Sequence, residues 1–312
     1  MAVDVYTVSG AGAEDVLVAT SGPDEGAVFT GTDDGGIHRV THDGRRATRV
    51  ADTGGRPLGL EWLPDGRLLV CDARRGLLVC DVRTGRVEPW LTEVDGRPMV
   101  FCNNAAVADD GTVYFSDSST VHAIDRWKAE VLELTGTGRL LRRRPDGEVD
   151  VLLGGLQFAN GVALSADGTW VAVAETSVRR VQRIFVAGPR TGESEVFAAD
   201  LPGFPDNIAR GSDGCVWVTI ASPIDPVVER LQKAPMWVRR GVLRLPEAAQ
   251  PAPKRTIRVQ AYDDDGRLVH DVDVRDPADL LRFHMPTGVR EHEGRVWLGS
   301  LHEPAIAVLD VP

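Results

Sequence analysis

Oxygen-bearing side chains occupy equivalent positions in successive copies of one short sequence pattern. Counting back eight residues from the turn glycine of three copies leads to Asn103, Asn160 and Asp206, and Asn207 follows directly. A looser copy near the start of the chain places Glu14 just before the apolar run VLVA. Carboxylate and amide oxygens without His or Cys are typical ligands of hard divalent cations. The spacing therefore predicts one metal site made of these five residues.

Calcium suits this ligand set best, because it accepts six to eight oxygen ligands, including amide carbonyls and waters, at irregular geometry. Magnesium needs tighter octahedral geometry, and zinc favours imidazole or thiolate. Manganese, iron or zinc stay open as alternatives. Asn and Asp are also common at strand ends, where they satisfy backbone groups. Each residue alone is explained by a turn, but their coincidence at one repeat position favours a metal.

The repeated pattern is a short apolar run, a turn that ends in Gly, and a second β-rich run. Clear copies read LGLEWLPDGRLLVCD, NNAAVADDGTVYFSD, NGVALSADGTWVAVAE, DNIARGSDGCVWVTI and TGVREHEGRVWLGS, and a looser one reads EDVLVATSGPDEGAVFTGT. Asp-Gly between two β-rich runs is a strong hairpin signal. Equivalent positions, beginning at Leu58, are 45, 57 and 46 residues apart, close to the roughly 40 to 50 residues of a four-stranded blade. We predict a single six-bladed all-β propeller over residues 1–312.

Two stretches exceed the repeat length, at residues 118–138 and 222–254, and both contain apolar residues at helical spacing. Both interrupt a blade after its second strand, so they should lie on the same rim. We interpret them as short helical lids over the channel mouth, with plain surface packing as the alternative. The last copy supplies only three strands, so the N-terminal run VDVYTV is predicted to complete that blade and close the ring, which removes exposed sheet edges.

The amino-acid composition indicates which kinds of binding partner this protein is not expected to have. The net charge of −11 argues against nucleic acid and against an anionic membrane. No apolar run approaches the roughly 18 residues needed to span a bilayer, and the N-terminus lacks a signal-peptide pattern. We therefore expect a cytoplasmic protein with a small-molecule substrate and no obligate protein partner. Cys71 and Cys80 could face each other across a hairpin, but a disulfide between them is not favoured.

The sequence resembles the gluconolactonase/senescence-marker-protein superfamily, and most closely its strictosidine-synthase-like branch. The stretches that carry the resemblance include GAEDVLVA, FCNNAAVADDGTVYFSDSS, GLQFANGVALSADGTWVAVAET and HMPTGVREHEGRVWLGSLHEPAIAV. The resemblance implies a six-bladed propeller with an axial divalent metal, in a family where many members hydrolyse lactones or related esters. It implies Glu14, Asn160 and Asp206 as metal ligands. It also implies Asn103 as a substrate-contacting member of the metal shell and Asn207 as a further ligand of the kind found in paraoxonase-type arylesterases.

Metal-assisted ester hydrolysis is the chemistry that the resemblance favours. Asp206 and His284 are the candidate bases, and Asn103 and Asn160 could add amide donors or hold the geometry of the metal. Strictosidine synthase uses a glutamate at the start of its sixth inner strand for a condensation, and Thr287 stands there in this chain, so that reaction is disfavoured. A non-hydrolytic biosynthetic enzyme of cyclase or condensing type, and a metal-stabilised binding propeller, remain alternatives.

Several other residues near the channel mouth have two interpretations. Trp127, Trp237 and Phe283 could form apolar walls around a substrate, although core or lid packing is the more ordinary explanation. His122, in the first insertion, is expected to be a solvated surface residue.

Overall fold

The computed structural model describes residues 3–311, whose strands form six four-stranded antiparallel sheets. Each sheet is one blade of a propeller, and the blades follow one another in chain order. The predicted all-β, six-bladed fold is confirmed.

The N-terminal strand β1 spans Val3–Thr7. Blade 1 contains β2 (Leu17–Val18), β3 (Val28–Gly31), β4 (Gly36–Val40) and β5 (Ala47–Asp52). Blade 2 contains β6 (Pro57–Trp62), β7 (Leu68–Asp72), β8 (Gly76–Asp81) and β9 (Arg86–Leu91). A small hairpin follows, made of β10 (Glu93–Val94) and β11 (Arg97–Pro98). Blade 3 contains β12 (Cys102–Val107), β13 (Val113–Asp117), β14 (Gly138–Arg143) and β15 (Val149–Leu156).

The second half of the chain repeats this arrangement. Blade 4 contains β16 (Ala159–Leu164), β17 (Trp170–Glu175), β18 (Arg180–Phe185) and β19 (Ser194–Ala198). Blade 5 contains β20 (Gly203–Arg210), β21 (Val216–Pro223), β22 (Ile257–Tyr262) and β23 (Leu268–Val274). Blade 6 contains β24 (Pro286–His292), β25 (Arg295–Ser300) and β26 (Ala305–Asp310), and β1 pairs with β26 as its fourth strand.

Helices occur only in the connections of the described chain. The first insertion, between β13 and β14, contains α1 (Trp127–Glu133) after a 3-10 turn. The second, between β21 and β22, contains α2 (Pro226–Lys233) and α3 (Met236–Val242). A fourth helix, α4 (Pro277–Arg282), connects blades 5 and 6. Both insertions follow the second strand of a blade and therefore lie at the same end of the propeller.

The hydrophobic core lies between blades. Among the described residues, six apolar clusters each combine side chains from two adjacent blades. Trp217, for example, packs between blades 5 and 6, and Phe115 packs between blades 2 and 3. A seventh cluster lies under α1 and α2. Because each blade buries its faces only against its neighbours, the ring positions the inner strands with respect to one another.

Cys71 and Cys80 are both free thiols, and they do not face each other, because Cys71 pairs with Leu77 and Cys80 with Leu68 in the β7–β8 ladder. None of the helices within residues 3–311 is long and apolar enough to cross a lipid bilayer.

Candidate active site

The first strand of a blade is interrupted where the predicted site residues lie. Pairing of β12 with β13 passes from Cys102 to Ala105, which leaves Asn103 and Asn104 outside the regular ladder. Four other first strands show the same irregularity, at residues 58–59, 160–161, 206–207 and 287–288. A β-bulge redirects side chains from the usual alternation. These residue pairs can therefore face the axis and the neighbouring blade.

All five predicted metal ligands come together at one end of the channel. Glu14, Asn103, Asn160 and Asp206 line a single pocket. Asn207 donates its Nδ2 to Glu14 Oε1 at 3.2 Å, although the two residues are 193 positions apart in the chain. The cluster thus joins blades 3, 4 and 5 to the segment that enters blade 1.

Each of the three amides donates a hydrogen bond through its Nδ2, and this orients its oxygen. Asn103 Nδ2 donates to Ser118 Oγ at 2.9 Å, and Asn160 Nδ2 donates to Thr176 Oγ1 at 3.1 Å. The Oδ1 atoms of Asn103, Asn160 and Asn207 are buried without a hydrogen-bond partner, as is Glu14 Oε2. Buried acceptors normally find a partner, because leaving one unmade costs about 1–3 kcal/mol. Four such oxygens in one cluster indicate a site for an electropositive ligand.

The electrostatics of the two carboxylates support the same conclusion. Burial raises the pKa of Asp206 to about 7, the Asn160 amide opposes this rise, and the Asp15 charge adds to it. Burial also raises the pKa of Glu14 well above its usual range, and the charges of Asp206 and Asp15 raise it further. Two carboxylates that desolvation and mutual repulsion drive towards protonation would be relieved by a cation between them.

The residues present fit a hard cation. The cluster supplies two carboxylates and three free amide oxygens, which is a ligand chemistry that calcium accepts. Within residues 3–311, no group of three or more His, Cys, Asp or Glu side chains is arranged to hold a metal. The candidate site therefore depends on its asparagines as well as on its two carboxylates.

The pocket above these oxygens has a volume of about 940 Å³, including space open to solvent. Most of its walls are apolar: Leu58, Phe101, Ile124, Trp127, Val131, Leu132, Phe158, Phe204, Val228, Met285 and Leu301. Phe158 and Met285 adopt positive φ angles of 64° and 53°, a conformation that is costly for bulky side chains. Both residues directly precede a first strand, so this backbone conformation turns each side chain into the pocket at a blade entrance.

The two helical insertions contact each other over the pocket. Gln232 Nε2 donates to Val131 O at 2.9 Å, which links α2 to α1. Arg239 Nη1, from α3, donates to Leu132 O and Glu133 O at 3.2 and 3.1 Å. These bonds satisfy the last carbonyl groups of α1, which have no partner within their own helix. Together the insertions form a linked cover beside the pocket mouth.

Other residues named from the sequence lie elsewhere. His284 is not among the described pocket-lining residues; its ring contacts Glu303 and Arg255 and packs 5.9 Å from His302. His122 is buried, 3.5 Å from Glu133 Oε2, so the expectation of a solvated surface residue is wrong.

The three aromatic residues separate into different environments. Trp127 lines the pocket, Phe283 is fully buried in the core between blades 5 and 6, and Trp237 on α3 is 77% exposed. Of the three, Trp127 is therefore the one that forms part of the pocket wall.

Two residues that the repeat pattern did not single out complete the site. Asp15 Oδ2 accepts a hydrogen bond from Leu60 N at 2.9 Å, and Asn104 Oδ1 accepts one from Val162 N at 2.9 Å. Each therefore ties its own blade to the next. Asp15 and Asn104 directly follow Glu14 and Asn103, and this position could have identified them from the sequence. The second residue of each bulged pair faces the neighbouring blade.

Comparison with known proteins identifies the family. Residues 23–233 match the model described as SMP-30/Gluconolactonase/LRE-like region. This chain belongs to that family. As a member of the SMP-30/gluconolactonase family, it is 36% identical over 268 residues to the strictosidine synthase-like 10 protein of Arabidopsis thaliana, a match that covers 82% of this chain and 70% of the relative.

Solved structures agree with the propeller fold of this SMP-30/gluconolactonase family member. A gluconolactonase of Xanthomonas campestris superposes with a TM-score of 0.71 at 15% identity, covering 99% of this chain and 89% of that one. The calcium-binding protein regucalcin of Agrobacterium tumefaciens superposes with a TM-score of 0.64 at 18% identity, covering 98% and 95%. At these identities the likeness concerns the fold.

Proposed function

We propose that this protein is a metal-dependent hydrolase of a lactone or related carboxylic ester, with calcium as its cation. The observation that carries the proposal is the cluster of four buried, partnerless oxygens beside Asp206 at a largely apolar pocket. The family match and the neighbouring gluconolactonase and calcium-binding regucalcin folds support it. The substrate is a small molecule that enters past the helical insertions.

The cation, when bound, would polarise the ester carbonyl and stabilise negative charge on its oxygen. Glu14, Asn103, Asn160, Asp206 and Asn207 are the residues that would hold it. Asn103 and Asn160 keep their oxygens available because Ser118 and Thr176 occupy their donor ends. The apolar walls lower the polarity around the reacting bond, which strengthens electrostatic effects there.

Asp206 is the proposed base. The described lining contains only two other carboxylates, of which Asp225 caps α2 by accepting from Val227 N and Glu14 is tied to Asn207. Water adds its oxygen to the carbonyl carbon while Asp206 takes one of its protons. The acyl–oxygen bond then breaks, and that proton passes to the departing ring oxygen, which becomes the hydroxyl of a hydroxy acid.

A non-hydrolytic reaction is the second candidate, because a strictosidine synthase-like protein is among the relatives. One observation weighs against a condensation that needs a carboxylate at the start of the sixth inner strand. Thr287 occupies that position, is buried, and donates its hydroxyl to Glu14 O at 2.7 Å. It therefore supports a proposed ligand rather than acting on a substrate.

The test replaces Asp206 with Asn, which keeps the shape and removes the charge. We expect Asp206→Asn to weaken calcium binding by about 100-fold or more, since even residues behind metal ligands change affinity by about 10- to 100-fold, and to abolish hydrolysis. Calcium binding is measured by titration calorimetry. Hydrolysis of a lactone and aryl-ester panel is followed by pH change, after chelation and addition of calcium, manganese or zinc.

Asp225→Asn is the matched control, because it removes a carboxylate from the same pocket while an Asn still caps α2. It should retain both calcium binding and hydrolysis. Undiminished hydrolysis in Asp206→Asn would refute the assignment of the site.

A further inference from the structure

The polar side chains on the pocket walls are already engaged within the protein. Lys128 Nζ donates to Glu247 Oε1 at 2.9 Å, and Gln250 Nε2 donates to Leu245 O at 2.8 Å. Thr176 Oγ1 accepts from Asn160, Ser222 Oγ accepts from Lys254 N, and Asp225 caps α2. Apart from the metal-type oxygens, these five polar side chains are outnumbered by the apolar residues of the described lining, and each already has a partner within the protein.

The remaining walls form a continuous apolar surface. Leu58, Phe101, Phe158 and Phe204 pack in one cluster with residues of α1 and α2. The rings of Phe101 and Phe158 are 5.6 Å apart, a separation typical of aromatic contact. The apolar lining therefore extends from the blade entrances to the helical cover.

We propose that the substrate is lipophilic: a lactone or ester whose alkyl or aryl group lies against these walls, rather than a polyhydroxylated sugar lactone. The lactone or ester bond in this proposal rests on the proposed function. The lipophilic character of the ligand rests on the pocket walls alone. Each methylene buried there should improve affinity about fourfold. Each hydroxyl buried without a partner should weaken affinity by about five- to 150-fold.

Alkyl-substituted γ-lactams serve as probes, because they keep the ring and carbonyl but replace the scissile ester with an amide. Their affinities for the full chain are measured by titration calorimetry, with and without calcium, against a polyhydroxylated lactam. We expect affinity to rise about fourfold per methylene until the pocket is full, with a negative heat-capacity change. The polyhydroxylated lactam should bind at least tenfold more weakly than the alkyl lactam of similar size.

Val131→Phe places extra volume in the pocket wall and should shorten the longest alkyl chain accepted, while leaving calcium affinity unchanged. Val121→Phe is the matched control, since Val121 belongs to the same insertion but is exposed. An unchanged chain-length limit in Val131→Phe would overturn the assignment of these walls to the substrate.

The outcomes separate the two proposals. Chain-length-dependent binding without turnover of any matching ester supports the ligand class and overturns the hydrolase. Faster turnover of sugar lactones than of alkyl lactones supports the hydrolase and overturns the ligand class. Tighter binding of the polyhydroxylated lactam, or no binding of any alkyl lactam, also overturns the ligand class.

Discussion

Two carboxylates at the site, Asp206 and Glu14, are expected to control how the stability of the folded protein depends on pH. In the metal-free protein, burial raises the pKa of Asp206 to about 7 and that of Glu14 well above its usual range, whereas both are near 4 in an unfolded chain. Between about pH 4 and pH 7 the folded state therefore holds protons that the unfolded state has released. Stability should fall as pH rises through this window, and calcium should restore it most strongly at the upper end.

Thermal melting between pH 5 and pH 8, in chelator and in calcium, checks this expectation. Asp206→Asn should flatten the decline in chelator, because Asn does not titrate, while Asp225→Asn should keep it. An equal decline in Asp206→Asn and the unsubstituted protein would show that other groups cause it.

For single residues, the sequence predicted which side chains form the site, but not the orientation, burial or contacts of those side chains. The spacing of Asn103, Asn160 and Asp206 was sufficient to place them at one end of the channel. The directions of the Asn103 and Asn160 amides depend on Ser118 and Thr176, which directly follow the second strands of their blades. Burial of His122 depends on how the first insertion folds, since His122 lies beside Glu133. The contacts of His284 depend on the segments that carry Arg255 and Glu303, and the repeat pattern encodes neither.

At the scale of elements, glycine alternates with a polar residue along the ring. Gly59, Gly161 and Gly288 occupy the second bulged position in blades 2, 4 and 6, where a Cβ would meet the backbone of the next blade. A Cβ on Gly161 would lie 2.1 Å from Ile208 N and 2.5 Å from the Cα of Asn207. The first strands can therefore approach closely enough for residues of neighbouring blades to share one site.

Gly161→Ala should consequently displace β20 at Asn207, the residue next to Asp206. Overpacking of this kind costs about 1–3 kcal/mol, so we expect a lower melting temperature and weaker calcium binding together. Gly154→Ala is the control, because a Cβ on Gly154 meets nothing within 4 Å. Calcium affinity equal to that of the unsubstituted protein in Gly161→Ala would show that the contact does not position the ligands.

The sequence predicted those elements that short sequence patterns encode. It did not predict the elements that depend on contacts with an adjacent blade. Asp-Gly turns identified the hairpins, and the ranges predicted from helical spacing, 118–138 and 222–254, contain α1, α2 and α3. The bulges at residues 103–104, 160–161 and 206–207 have no local turn signal. They arise because each pair contacts the adjacent blade, as Asn104 does through Val162 N.

At the scale of the whole molecule, Glu14 lies where the ring closes. Its carbonyl accepts from Gly288 N at 2.8 Å and from Thr287 Oγ1 at 2.7 Å, both in blade 6. The preceding residue is also tied to blade 6, since Ser300 N donates to Ala13 O at 2.6 Å. One proposed ligand is therefore held by the junction between the last blade and the first.

Ring closure should accordingly control metal affinity. Deleting residues 1–7 removes β1 from the edge of β26, together with the buried Val3 and the Tyr6 ring that packs 5.9 Å from Trp297. We expect a loss of at least about 2 kcal/mol of stability, since burial of one large apolar side chain contributes about that much. Calcium binding should weaken as well, because blade 6 can then move with respect to Glu14.

A disulfide across the same junction provides the opposite test. Val5 and Ala307 are directly paired between β1 and β26, so Val5→Cys with Ala307→Cys should raise the melting temperature when oxidised and keep full calcium affinity. Calorimetric titration and thermal melting of both variants measure the coupling. If the deletion lowered the melting temperature but left calcium affinity intact, Glu14 would be positioned by blade 1 alone, and the metal site would be independent of how the ring is closed.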